Sequence, residues 1–137
     1  MRPLTIDLDR LANGLIDDQA DLRLDLLSGQ LLDIPPAGSD AEIERLLEQE
    51  PERLLALEPL SPGERLALME EFVDQIVDPD AHTALAAAMA ERRQQRAFAN
   101  ALKQFPQLQQ SWQAFQHGRL RDLALDWLAD NQLQPVG

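Results

Sequence analysis

Apolar residues at helical spacing dominate the second half of the chain. Residues 61–64, "SPGE", place a serine at the cap, a proline at the first helical position and a glutamate at the capping-box position. This combination predicts a helix start. Asp78 predicts a second start, and Pro106 opens the last long helix. The predicted inner positions of these helices are Leu66, Met69, Phe72, Val73, Ile76, Leu85, Met89, Phe98, Leu102, Phe105, Leu108, Trp112, Phe115, Leu120, Leu123, Ala124, Trp127 and Leu128.

The first half of the chain changes from helical to alternating periodicity. Residues 7–16 have apolar residues at helical spacing, and Asp7 or Asp9 is the expected cap of a short helix. In residues 22–34, leucines alternate with charged residues before a Ser-Gly pair, and apolar residues resume after it. This pattern predicts a β-hairpin with Gly29 in the left-handed conformation, which glycine adopts without steric cost.

A further helix and strand are predicted after the hairpin. Ser39 and Glu42 have capping-box spacing, which predicts a helix that ends before Pro51. Residues 53–57 are predicted as a third strand that would support the hairpin, although their composition favours a helix. The chain is therefore predicted to be a single α+β domain over residues 1–137, with a mainly helical C-terminal half.

Composition excludes several classes of protein. The 137 residues contain no cysteine, which excludes disulfides, thiolate chemistry and zinc sites that use sulfur. No run of about 18 apolar residues occurs, so no membrane-spanning helix is expected. The N-terminal residues also lack the apolar run of a secretion signal. We expect a soluble, cytoplasmic protein that has no cofactor and does not bind a membrane.

Charge is divided unevenly along the chain. The net charge is −12, yet residues 92–121 contain no acid and carry +6. The remaining six bases and all 24 acids give −18 for the other residues. A local basic surface on an acidic protein can bind an anion or an acidic protein at short range. The candidate binding surface consists of Arg92, Arg93, Arg96, Lys103, Arg119 and Arg121.

Several segments resemble a known protein family. They are "LDLLSGQLL", "LSPGERLALMEEFVDQIVD", "RAF" and "SWQAFQHGRLRDLALDWLADN", in this order. Together they resemble the uncharacterised bacterial family known as UPF number one hundred and fifty-eight, over nearly the whole chain. The resemblance implies a small α+β domain and no established activity.

The chain departs from this family in its basic segment. Where the family typically has Gly-Lys-Gly-Ala-Phe-Arg-Arg-Phe-Lys, residues 94–102 read "QQRAFANAL". The family pattern Trp-Tyr-x-Phe-Arg appears in residues 112–116 as "WQAFQ". The resemblance implies that any role of the family's basic segment is weakened here. Trp112 and Trp127 are predicted to pack inward, with contact to a partner as the alternative.

The basic segment can serve as both a core helix and a binding surface. At about 100° per residue, Arg92, Arg96 and Lys103 fall in one arc of a helix. Phe98 and Leu102 fall on the opposite side, where they are predicted to enter the core.

Three interpretations of the basic face are considered. In the first, the face is solvated and loosely paired with acids. In the second, it docks on an acidic protein or on a second copy of the chain, and in the third it contacts nucleic acid. The net charge of −18 on the other residues opposes the approach of nucleic acid, and no known binding motif accompanies the arginines. The preferred function is a non-catalytic interaction or regulatory module, and a nucleic-acid-associated factor is the alternative.

Candidate catalytic residues are few. His82 lies near Asp78 and Asp80, but these acids are better explained as a helix cap and a first-turn acid than as metal ligands. His117 has no neighbour in the sequence that would orient it. We therefore predict no catalytic, cofactor-binding or metal residue. An enzyme built around one of these histidines is the second alternative.

Overall fold

The structure, a computed structural model, describes residues 2–17 and 19–136. It divides into two compact units. Residues 1–59 and 120–137 form the terminal unit, and residues 60–119 form the central unit. The mixture of strands and helices confirms the predicted α+β class, with a mainly helical C-terminal half. That residues 1–137 form one domain stays a prediction.

Strands occur mainly in the N-terminal part of the chain, and helices follow. In chain order, the described elements are β1 (Arg2–Thr5), α1 (Leu8–Gly14), β2 (Leu22–Asp25), β3 (Leu31–Asp33), α2 (Ala41–Gln49), a 3-10 turn (Pro51–Arg53), β4 (Leu54–Ala56), α3 (Pro62–Asp74), α4 (Pro79–Met89), α5 (Gln94–Leu102), α6 (Pro106–Asp130) and β5 (Leu133–Val136).

The terminal unit contains the predicted hairpin and third strand. β2 pairs with β3 and with β4, both antiparallel, in the strand order β3-β2-β4. Helix α1 begins behind Asp7, whose carboxylate accepts a hydrogen bond from the Arg10 N–H, as a cap should. A Cβ on Gly14 would lie only 2.9 Å from the Leu57 side chain, so α1 packs closely on the sheet at this point. The predictions of the N-terminal helix, the hairpin and the third strand are confirmed.

A second sheet joins the two ends of the described chain and was not predicted. β1 and β5 pair in parallel, and the Arg2 N–H donates to the Gln132 carbonyl at 2.9 Å. In a parallel ladder alternate residues face the partner, so Arg2 and Leu4 donate to β5 while Pro3 faces away. The register places Pro135 at an outward position of β5 in the same way. Because both prolines lie at outward positions, neither removes a hydrogen bond between β1 and β5. Pro135 has no N–H to donate at the outer edge of β5, which disfavours pairing with a further strand.

A buried ion pair connects the hairpin to the third strand. Asp25 is only 5% exposed, and Arg53 donates to both its carboxylate oxygens, at 2.8 and 2.9 Å. Its carboxylate also accepts from the Leu27 N–H, and its carbonyl accepts from the Gly29 N–H. The hydrogen bonds from Arg53 lower the pKa of Asp25 to about 2, against the opposing effect of burial. One carboxylate thus holds the end of β2, the turn and the arginine before β4.

The hairpin turn requires glycine at position 29. Gly29 has φ +79°, which confirms the predicted left-handed conformation. A Cβ at this position would lie 1.8 Å from the Thr5 carbonyl oxygen, because the turn approaches β1 closely. Gly38 also has a positive φ, +86°, but a Cβ there would have no atom of the described residues within 4 Å. The two glycines therefore differ in steric surroundings and share a backbone conformation.

The predicted helix starts of the central unit are confirmed. Ser61 and Glu64 form a reciprocal capping box at α3, and the Asp78 carboxylate caps α4 by accepting from the Asp80 N–H. The helices enclose a core of mainly predicted positions. Its buried members are Met69, Phe72, Val73, Leu85, Phe98 and Leu102.

One detail of the helix predictions is wrong, and the predicted inner positions of α6 differ in burial. Helix α2 is capped by Asp40 rather than Ser39, because the Asp40 carboxylate accepts from both the Glu42 and Ile43 N–H groups. In α6, three of the predicted inner positions are fully buried and five are half-buried. The fully buried residues are Leu120, Ala124 and Leu128, and the half-buried ones are Leu108, Trp112, Phe115, Leu123 and Trp127.

The ion pair predicts a specific response to acid. The lowered pKa of Asp25 contributes stability that is complete above its ordinary pKa of 3.8 and is lost as pH falls toward about 2. This contribution is about 2 kcal/mol at neutral pH. Arg53→Met should remove it and leave an unpaired buried carboxylate, at a cost of about 3 kcal/mol. Urea unfolding in a Trp112→Phe background, where Trp127 reports on the terminal unit, measures both effects. The control is Arg45→Met on the exposed side of α2; an equal loss in both variants would contradict the assignment.

The two glycines provide a matched pair of substitutions. Gly38→Ala should cost about 1 to 2 kcal/mol, because only the left-handed backbone conformation opposes it. Gly29→Ala should cost clearly more, because its Cβ also collides with the Thr5 carbonyl. Thermal unfolding followed by circular dichroism compares them. Equal losses would show that the turn does not pack against β1 as described.

Candidate binding surface

Helix α5 has one buried face and one exposed basic face. Phe98 and Leu102 are 2% and 3% exposed and belong to the core of the central unit. Arg96 and Lys103, seven residues apart and thus on one side of the helix, are exposed. This division of α5 matches the predicted one, except that Arg92, predicted to share the helical arc of Arg96 and Lys103, lies in the turn before the helix.

Aromatic contacts fix the rotation of α5. The ring of Phe98 lies 5.0 Å from that of Trp112, at an interplanar angle of 70°. Trp112 also makes an edge contact with Phe72 at 5.3 Å, and Phe72 lies 5.5 Å from Phe115. Rings at such distances and angles attract one another beyond their burial. Rotating α5 would break these contacts, so the cations opposite Phe98 are held toward solvent.

Four of the six predicted cations lie in α5 or directly next to it. Arg92 and Arg93 lie in the turn before α5, Arg96 lies in its first turn, and Lys103 follows its last residue. All are exposed, and within residues 2–17 and 19–136 none forms an ion pair. Glu91, the nearest acid in the sequence, forms no ion pair with them among the described residues. We call Arg92, Arg93, Arg96 and Lys103 the α5 basic surface.

The start of α5 adds to its positive potential. Helices α1 to α4 each begin with an Asp or Ser cap and have an acid in the first turn. The cap position of α5 is Arg93, which makes no side-chain cap bond, and the helix has no acid in its first turn. The partial positive charge of a helix start normally attracts acids and disfavours cations. This helix therefore presents unneutralised positive charge to solvent.

The other two predicted cations do not belong to this surface. Arg119 donates to Glu71 and lies 5.8 Å from the centre of the Phe115 ring, so its charge is already engaged within the central unit. Arg121 belongs to the terminal unit, where it lies 4.0 Å from Asp9. The sequence did not reveal these acids, because Glu71 and Asp9 are distant from the arginines along the chain.

The histidines occupy different surroundings. His82 is half-buried and lines a shallow cleft of about 350 Å³ with Glu70 and Asp74. The residues described around this cleft include no serine, threonine or lysine that would act as a nucleophile. His117 is exposed. Across the described parts of the chain, no three His, Asp or Glu residues lie close enough to hold a metal ion.

Comparison with known proteins identifies the family. The model of "Uncharacterised protein family (UPF0158)" matches residues 1–137. The chain belongs to the UPF0158 family. It is 46% identical over 136 residues to the UPF0158 protein PA5073 of Pseudomonas aeruginosa, covering 99% of this chain and 89% of the relative. No solved structure matches this UPF0158 chain. The resemblance predicted from the sequence is confirmed, and neither name states an activity.

The helices also bear on the membrane prediction. Among residues 2–17 and 19–136, no helix has both the length and the apolar character needed to cross a bilayer.

Substitutions on the two faces of α5 should have different effects on the stability of the protein. Phe98→Ala removes a buried ring and should destabilise the protein by about 3 to 5 kcal/mol. Arg96→Ala removes an exposed cation that forms no ion pair with a described residue, and it should change stability by no more than about 0.5 kcal/mol. Urea unfolding followed by circular dichroism measures both. A large loss with Arg96→Ala would mean that this arginine has a structural partner.

Proposed function

We propose that this UPF0158 protein is a non-catalytic, cytoplasmic interaction or regulatory module, and that its α5 basic surface docks onto an acidic protein surface. One observation carries the proposal. Four exposed cations without ion pairs to described residues lie in α5 or within two residues of its ends, and the opposite face of α5 packs into an aromatic core. Because packing fixes the backbone of α5, little backbone freedom is lost on binding, which favours a specific partner.

The charges of the chain support an acidic protein rather than a solvated face. Arg119 and Arg121, the predicted cations outside α5, have acidic partners, whereas the cations of α5 have none in the described chain. An unneutralised positive surface raises the association rate with a negative partner. Each exposed ion pair contributes only about 0.2 to 1 kcal/mol, so a set of pairs is needed for useful affinity.

Nucleic acid is the alternative ligand for the same residues. Phosphates would be bound by the arginines, but the rest of the chain carries a large negative charge that repels them. The aromatic rings nearest to α5 pack on its inner side, where they support the core rather than stack on bases. These two features favour the acidic protein.

The proposal is tested with one variant that loses three positive charges at the α5 basic surface and a control variant that loses three positive charges elsewhere. Arg92→Gln, Arg93→Gln and Arg96→Gln are combined in one variant, and Arg23→Gln, Arg45→Gln and Arg65→Gln in a control. Both variants and the wild type are used to capture proteins from nuclease-treated bacterial extract. We expect the captured proteins to be acidic, to be retained by the control and to be bound about tenfold more weakly by the α5 variant.

Two results would overturn this proposal. One is recovery of the same proteins by the α5 variant and the wild type. The other is tight binding of the wild type to single-stranded RNA or duplex DNA at low salt that is lost in the α5 variant. The second result would support the nucleic-acid alternative. Circular dichroism should show that all three proteins are folded, so that a change in capture reports on binding and not on folding.

A further inference from the structure

Helix α2 has an apolar face that the chain leaves partly uncovered. Ile43, Leu46 and Leu47 lie on one side of this helix, and all three are only half-buried. Every other α-helix has at least one fully buried residue, whereas α2, described over its whole length, has none. The half-covered stripe is therefore available for contact with another molecule.

Acidic residues border this stripe. At helical spacing, Glu42 lies beside Leu46 on one flank, and Glu44 and Glu48 lie on the other flank. Glu44 accepts a hydrogen bond from the Gly38 N–H, while Glu42 and Glu48 are exposed and form no ion pair within the described residues. The one cation of the helix, Arg45, lies on the side away from the stripe.

The charge on the flanks determines what can cover the stripe. Two α2 helices placed face to face would bring their acids together, and like charges at short range repel. A cationic surface with long side chains fits instead. Arginine and lysine lay their apolar stems along apolar surface while their charged ends reach acids at its border.

We infer that α2 docks on the α5 basic surface of a second copy of this chain. This inference rests on the proposed function, because it names the acidic surface that α5 binds. Each copy carries one acidic, partly apolar helix and one cationic helix that has no ion pairs with described residues. Complementary charge on two elements of the same chain makes a second copy a sufficient partner.

Charge exchange tests this association between copies. Arg92→Glu with Arg96→Glu makes both surfaces acidic, and Glu42→Lys with Glu48→Lys makes both basic. Sedimentation velocity should show self-association of the wild type that weakens as salt increases. Each double variant should self-associate at least about tenfold more weakly than the wild type, since like charges replace opposite ones.

Mixing the two variants is the decisive measurement. The acidic surfaces of one variant then meet the basic surfaces of the other, so an equimolar mixture should associate although neither variant does so alone. The control, Glu58→Lys with Glu70→Lys, makes the same charge change on exposed acids outside α2. This control should self-associate like the wild type. It should also bind the variant with Arg92→Glu and Arg96→Glu no more tightly than the wild type binds that variant.

Three results would overturn this inference. They are a monomeric wild type at low salt, self-association that survives either double variant, and a mixture that does not associate. Circular dichroism establishes that each variant is folded. If the wild type is monomeric but still captures an acidic protein through α5, this inference fails and the proposed function stands. If capture also fails, the proposed function fails as well.

Discussion

Burial of Phe98 and Leu102 is the constraint on which the basic surface depends. These two side chains enter the core of the central unit, and Phe98 meets Trp112 there. Because a helix has only one way to place both of them inward, Arg96 and Lys103 must face solvent. The cationic surface is thus a consequence of apolar packing on the opposite side of the same helix.

The buried and the exposed charges of this chain have different surroundings. In the terminal unit, Asp25 is buried and fully paired with Arg53, which keeps its pKa low and connects three segments of the chain. A buried charge requires such pairing, because an unpaired one is costly. The cations of α5 are exposed and form no ion pair within the described residues, so water stabilises their charge. Burial of Asp25 explains why Arg53 is structural, and exposure is the basis on which the α5 cations are proposed to bind a partner.

Local signals in the sequence predicted much of this fold, and distant contacts explain what it missed. The capping box of Ser61 with Glu64 and the left-handed Gly29 depend on a few neighbouring residues, so both could be predicted. Pairing of β1 with β5 joins opposite ends of the chain, and no local pattern encodes it. The same holds for the candidate surface: helical periodicity separated Arg96 from Phe98, but it could not show that Arg119 pairs with Glu71.

The availability of the α5 cations can be measured directly by arginine modification. Phenylglyoxal reacts with accessible guanidinium groups, and mass spectrometry of the peptides gives a rate for each arginine of the folded protein. Arg92, Arg93 and Arg96 should react rapidly and at similar rates, whereas Arg53, held by both oxygens of Asp25, should react slowly. If the three α5 arginines are as protected as Arg53, they already have partners, and the basic surface does not exist as described.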